Sequence, residues 1–241
     1  IRALSWRGGL SSDIASSITW ASGGSVTGVA DNPTPAKVIN MSFSVNSICP
    51  TSLQTAINDA FARGSVLVAA AGNNNDDVKN YAPANCENVI SVGASNKDGK
   101  RASYSNYGLG IDVSAPGGDG SDSFKKILTT DRVGAAGYSA NDYTYISGTS
   151  FASPIVAGIV ALMLEANPRL GYRDIQEILA YTARKTDTQN NTWAYNGALD
   201  WNGGGLHFDS LDHDLGYGLV DALAAVRLAE TWNPNAKTSA N

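Results

Sequence analysis

Residues 65–71 and 89–94 form two short, nearly continuous apolar runs, built around Val66, Leu67 and Val68 and around Val89, Ile90 and Val92. Runs of this length, without alternation, are what strands covered on both faces look like, and such strands belong to parallel sheets. Strand-like residues 36–43 come before them and a weaker candidate, residues 111–114, comes after. Between the strands lie segments with helical spacing. Residues 50–62 place Leu53, Ala56, Ile57, Ala60 and Phe61 on one face and stop at Gly64, while residues 12–21 repeat the pattern with Ile14, Ile18 and Ala21. The alternation predicts an α/β fold, a three-layer sandwich with a mainly parallel sheet between helices.

A third apolar segment differs in kind. Gly148, Thr149, Ser150, Phe151, Ala152, Ser153 and Pro154 run directly into residues 155–163, a stretch apolar enough for a core helix expected over 154–164. A serine at the start of a buried helix sits beside unpaired backbone N–H groups and the positive end of the helix dipole. Negative charge developing there is stabilised, which suits acyl transfer. Taken alone, Gly-Thr-Ser is also an ordinary helix cap. Two further helices are expected, over 172–183 and 220–230, with an Asn-, Asp-, Gly- and Trp-rich surface excursion over 185–212. Residues 1–232 read as one domain and residues 233–241 as a linker or tail.

Composition narrows the partners. With 241 residues and 43% hydrophobic content the chain can bury one sizeable core. A net charge of −5 and the lack of a Lys/Arg stripe speak against nucleic acid. The expected serine helix, interrupted by Gly158, falls short of the roughly 18 residues that define a membrane span, so no membrane partner is expected. Ile1 is not a starting Met, and no leader pattern follows it; it reads as an internal position of a longer precursor or as a cleavage product. Cys49 and Cys86 allow one disulfide, which would close a loop of about 37 residues, contribute roughly 3–4 kcal/mol and favour an exported protein. Two buried free thiols are the other reading.

The serine segment closely resembles the active-site motif of subtilisin-like serine proteases, and further matches keep that family's order. The resemblance implies that Ser150 is the nucleophile. Asn73, at the end of the 65–71 strand, becomes the amide donor of the oxyanion hole, with the Ser150 N–H as second donor. Ser42, Phe43 and Ser44 resemble one wall of the specificity pocket, Ala70, Ala71 and Gly72 the opposite wall, and Gly8, Gly9 and Leu10, with Arg7, the edge strand that pairs with substrate backbone. Residues 213–222 resemble a late element of subtilase domains in a kexin-like version. The middle of the chain is more similar to secreted bacterial members, in which cysteines placed like Cys49 and Cys86 are bridged. The implied activity is a secreted endopeptidase acting on polypeptides. No cofactor is implied for catalysis and no metal ligand is identified; structural calcium is common in the family, but no site for it can be placed.

The family presents its triad in the order Asp, His, Ser, and this chain has no such Asp or His motif ahead of residue 36. Its two histidines, His207 and His213, follow Ser150, and the resemblance assigns neither to the triad. The expectation is therefore that an N-terminal segment of the same protease supplies both residues and that the isolated chain is inactive. The alternative is an inactive fragment or pseudoprotease that holds peptides in the same cleft. An α/β-hydrolase esterase is disfavoured because Ser150 is not in a Gly-x-Ser-x-Gly elbow.

Overall fold

The computed structural model describes residues 3–4, 8–131, 143–187, 193–195, 207–209 and 214–234. Its centre is a four-stranded parallel sheet of β1 (Val38–Met41), β3 (Val66–Ala70), β5 (Val89–Ser95) and β6 (Val113–Pro116), in the order β1-β3-β5-β6. All five residues of β3 and all seven of β5 are buried. That burial is why these strands carry no alternating polar residues. The predicted α/β sandwich is the observed fold.

Side-chain alternation along the strands divides the interior into two cores. Val66 and Val68 of β3, with Ile90, Val92 and Ala94 of β5, face the core that contains α3 (Thr149–Ala166), α4 (Tyr172–Thr182) and α5 (Ala222–Thr231). Leu67, Ala69 and Val89 face the opposite core, shared with α1 (Ser11–Ala21) and α2 (Thr51–Ala62). Each fully buried Val, Leu or Ile contributes roughly 1.5–3 kcal/mol relative to exposure. A one-residue slip of β3 would exchange the two sets between layers.

Local signals account for most element ends. Pro50 caps α2 with extended backbone, and Gly64 follows its end at φ +85°, a conformation suited to glycine. Asp221 accepts a hydrogen bond from the Ala224 N–H and starts α5 two residues later than the apolar spacing predicts. Leu10, at the N-cap of α1, provides no side-chain cap.

The serine helix differs from expectation. α3 starts at Thr149, not at 154, and runs for 18 residues through Pro154. Its length and apolar character reach the lower limit of a membrane span. The expectation that it is too short is thereby corrected. Val156, Val160 and Met163 are fully buried in the core beneath the sheet, which is what its apolar face covers.

Small two-stranded units, unmarked by sustained sequence periods, complete the fold. β2 (Val45–Asn46) pairs with β4 (Tyr81–Ala82), β7 (Ile127–Thr130) with β8 (Tyr143–Ile146), and β9 (Trp193–Tyr195) with β10 (His207–Asp209). The last pair lies within the segment expected to be a surface excursion. The side chain of His207, and all of His213 and residues 235–241, lie outside the described residues.

Candidate active site

Parallel strands bring the carboxyl ends of β1 and β3 to the same edge of the sheet as the N-terminus of α3. In α/β proteins ligands bind at this edge. Ser42 follows β1, Gly72 and Asn73 follow β3, and Ser150 is the second residue of α3.

Thr149, fully buried, joins two of these segments. Its backbone N–H and its hydroxyl donate to Asn73 Oδ1 at 2.9 and 2.8 Å, and its Oγ1 accepts from the Gly72 N–H at 3.2 Å. The Asn73 carbonyl is thus occupied, and its Nδ2 has no partner among the described residues. A Cβ added at Gly148 would lie 3.5 Å from that Nδ2 and 3.7 Å from the Ser150 nitrogen. Asn73 Nδ2 and the Ser150 nitrogen therefore lie on the same side of Gly148, with the Phe151 ring 3.7 Å from the same point. Ser150 is half-buried, and its Oγ has no hydrogen-bond partner among the described residues.

Ser42 provides the link to β1. Its hydroxyl donates to the Ser150 carbonyl at 2.9 Å and accepts from Asn40 Nδ2 at 2.8 Å, while Asn40 Oδ1 accepts from Ser153 Oγ at 2.6 Å.

The turn after β3 is held by Asn106, which is fully buried. Its N–H donates to the Gly72 carbonyl at 3.0 Å and its Nδ2 to the Ala71 carbonyl at 2.9 Å, while Oδ1 accepts from the N–H groups of Asn74 and Asp76. Gly72, at φ +108°, is the position where this turn requires glycine.

The remaining expected site residues are distributed unevenly. A Cβ at Gly72 would lie 3.1 Å from Ser44 Oγ, so these two expected walls adjoin. Ala70 and Ala71 are buried. Phe43 packs against the α1/α2 core. Gly8, Gly9 and Leu10 are exposed and lead directly into α1. Arg7 lies outside the described residues. Cys49 and Cys86 are disulfide-bonded, which ties the segment before α2 to the segment before β5.

The acidic pair after Asn73 is engaged locally. Asp76 accepts from the Tyr81 hydroxyl, and Asp77 pairs with Lys79 at 2.8 Å. Partial burial raises the Asp77 carboxyl, but hydrogen bonds and charge from Lys79 outweigh it and hold the group below the usual carboxylate range.

The sequence reading did not single out Thr149, Asn40, Ser153 or Asn106 for these contacts. Thr149 and Ser153 lie inside the quoted serine motif, which is the signal that could have found them. Asn106, 33 residues past Asn73, carries no local signal at all.

The Subtilase family model, peptidase S8, matches residues 1–218. An extracellular protease of Xanthomonas campestris pv. campestris is 46% identical over 185 residues, covering 76% of this chain and 31% of the relative. An extracellular basic protease of Dichelobacter nodosus is 37% identical over 230 residues, covering 94% of this chain and 34% of the relative. Among solved structures, a protease of Pseudoalteromonas arctica superimposes with a TM-score of 0.78 at 42% identity, over 92% of this chain and 60% of that one. The chain belongs to the subtilase family of serine proteases. It spans about a third of the length of the two curated relatives.

Proposed function

We propose that this chain is the serine-bearing part of a secreted subtilisin-like endopeptidase, with residues 1–232 as that part of the catalytic domain. The observation that carries the proposal is that Asn73 Nδ2 and the Ser150 N–H come together beside Gly148, next to a serine hydroxyl at a helix N-terminus. Ser150 Oγ adds to the scissile carbonyl and gives its proton to a base. The carbonyl oxygen becomes an oxyanion held by the two N–H donors. Collapse expels the amine with that proton, and water then hydrolyses the acyl-serine.

Residues 8–10, 42–44 and 70–72 line the cleft for an extended polypeptide. The base comes from a segment upstream of Ile1 that carries the Asp and His of the triad. That segment adds to the edge of β1 that faces away from β3, where no strand pairs among the described residues. The isolated chain is accordingly inert. Secretion is supported by the extracellular relatives and by the disulfide. Among the described residues no group of three or more His, Cys, Asp or Glu side chains is placed to hold a metal ion.

Fluorophosphonate labelling tests the proposal. The full-length protein should label at Ser150, lose labelling in Ser150→Ala, and hydrolyse a polypeptide substrate. Residues 1–241 alone should do neither. A full-length protein that binds peptide but refuses the label would refute the catalytic reading and support a binding module.

A further inference from the structure

The donor that satisfies the Ser150 carbonyl lies outside its own helix. In an α-helix this carbonyl would accept from the N–H of residue 154, and residue 154 is proline, which has none and whose ring crowds the carbonyl four residues back. α3 nevertheless continues from Thr149 through Pro154 to Ala166. The carbonyl of the serine is thus left without its regular helical donor inside a continuous helix. Ser42 Oγ occupies that place at 2.9 Å.

The orientation of the Ser42 hydroxyl is determined by its neighbours. Asn40 Nδ2 donates to Ser42 Oγ at 2.8 Å, so the hydroxyl proton is left for Ser150. Asn40 in turn is oriented by Ser153, whose hydroxyl donates to Asn40 Oδ1 at 2.6 Å. The bonds leave α3 at Ser153, its fifth residue, pass through Asn40 and Ser42 at the end of β1, and return to α3 at Ser150. Three side chains point one way around a closed path between two elements. Removing any member leaves a donor or acceptor unmatched.

We propose that Ser42 is a positioning residue: by holding the carbonyl that Pro154 leaves without a donor, it sets the place of Ser150 relative to the cleft. This role is additional to lining the cleft, and it rests on Ser150 being the nucleophile. It makes a conditional prediction. An alanine at 154 supplies the missing N–H, so the Ser150 carbonyl no longer depends on the Ser42 hydroxyl.

The experiment is a double-variant cycle in the full-length protein, comparing the parent, Ser42→Ala, Pro154→Ala and the pair. Ser42→Ala should lower kcat and the fluorophosphonate labelling rate by about 10- to 100-fold, the scale of a small misplacement of a reacting group. KM should change less than kcat, because the bond serves the position of Ser150 and not peptide binding. In the Pro154→Ala background the same change should cost less than about threefold in kcat. Ser42→Thr, which keeps the hydroxyl, should retain most of the rate. Equal losses in both backgrounds, or no loss in either, would overturn the proposal.

Thermal melting of the same four proteins reads the coupling without activity. Ser42→Ala should lower Tm by about 2–4 °C when residue 154 is proline and by clearly less when it is alanine. If the parent itself does not label, the catalytic reading fails while the melting cycle still decides whether Ser42 serves the carbonyl. Equal Tm losses in both backgrounds would overturn it by that route.

Discussion

Both donors of Thr149, the backbone N–H and the hydroxyl, converge on Asn73 Oδ1 at 2.9 and 2.8 Å. This fork fixes which end of the Asn73 amide lies beside Gly148. Only Nδ2 remains to donate there, which is the orientation an oxyanion needs. Asn73→Leu should therefore lower kcat by about 10²- to 10³-fold with KM little changed, a scale that comes from subtilisin's own oxyanion asparagine. Thr149→Val should cost about tenfold or more, because Asn73 keeps one anchor of two and the buried Gly72 N–H loses its acceptor. Steady-state kinetics of the full-length protein on a peptide substrate checks both, and a KM-only effect would remove Asn73 from the chemistry.

Gly72→Ala should damage the same turn from its other side. The new Cβ would meet the Asn106 Nδ2 at a separation no real contact shows, at a backbone φ of +108° that L residues rarely adopt. Asn106 cannot retreat without releasing the Ala71 carbonyl and the N–H groups of Asn74 and Asp76. A loss of about 2–4 kcal/mol in urea unfolding is expected from strain and broken buried hydrogen bonds together. A loss below about 0.5 kcal/mol, the range of ordinary surface substitutions, would mean that the turn relaxes freely.

The parts legible in the sequence were those governed by local pattern. β3 and β5 announced themselves because burial on both faces removes polar residues from a strand, and α2 because Pro50 and Gly64 mark its ends. The placement of Ser150 and Asn73 side by side was legible through motif and order. The continuous helical turn from Thr149 to Pro154 was not, because proline normally belongs in the first turn of a helix. Here Pro154 is six residues in, tolerated because Ser42, from another element, supplies what it lacks. Asn106 was illegible for a related reason. Its four backbone-directed bonds form only once β3 and the loop after β5 are side by side, and no spacing within either segment encodes that. The short pairs β2–β4 and β7–β8 have too few residues to set up a period of two.

Removing the disulfide should cost stability more than activity. Cys49 and Cys86 are 37 residues apart, and a closed loop of that size restricts the unfolded chain by about 3–4 kcal/mol. The bonded segments are also joined by the pairing of Val45 with Ala82 and of Asn46 with Tyr81, so the folded arrangement persists without the bond. Cys49→Ala/Cys86→Ala should lower the unfolding free energy by that amount while kcat at low temperature stays within about twofold of the parent, as for other changes that leave the transition-state contacts in place. A large loss of kcat at full folding would show that the bridge shapes the cleft directly.

Asp112 should make stability depend on pH in a direction opposite to most carboxylates. It is half-buried. Burial raises its pKa from the usual carboxylate value to about 6, against hydrogen bonds from the Ser91 N–H at 2.8 Å and Gln176 Nε2 at 2.6 Å and the charge of Arg173. Between about pH 4 and pH 6 the folded chain therefore holds a proton that the unfolded chain has released. The stability this contributes is fully present below about pH 4 and is lost as pH rises through about 6, up to roughly 3 kcal/mol. Asp77 and Asp119, whose pKa values are lowered, act in the reverse sense and lose stability as pH falls. Comparison with Asp112→Asn separates the two. The amide keeps the size, accepts from the Ser91 N–H and donates to a reoriented Gln176, but cannot ionise. The free-energy difference between variant and parent in urea unfolding should move in favour of the variant from pH 4 to pH 8. A difference constant across that range would show that water or a cation reaches the Asp112 carboxylate and that its burial carries no ionisation cost.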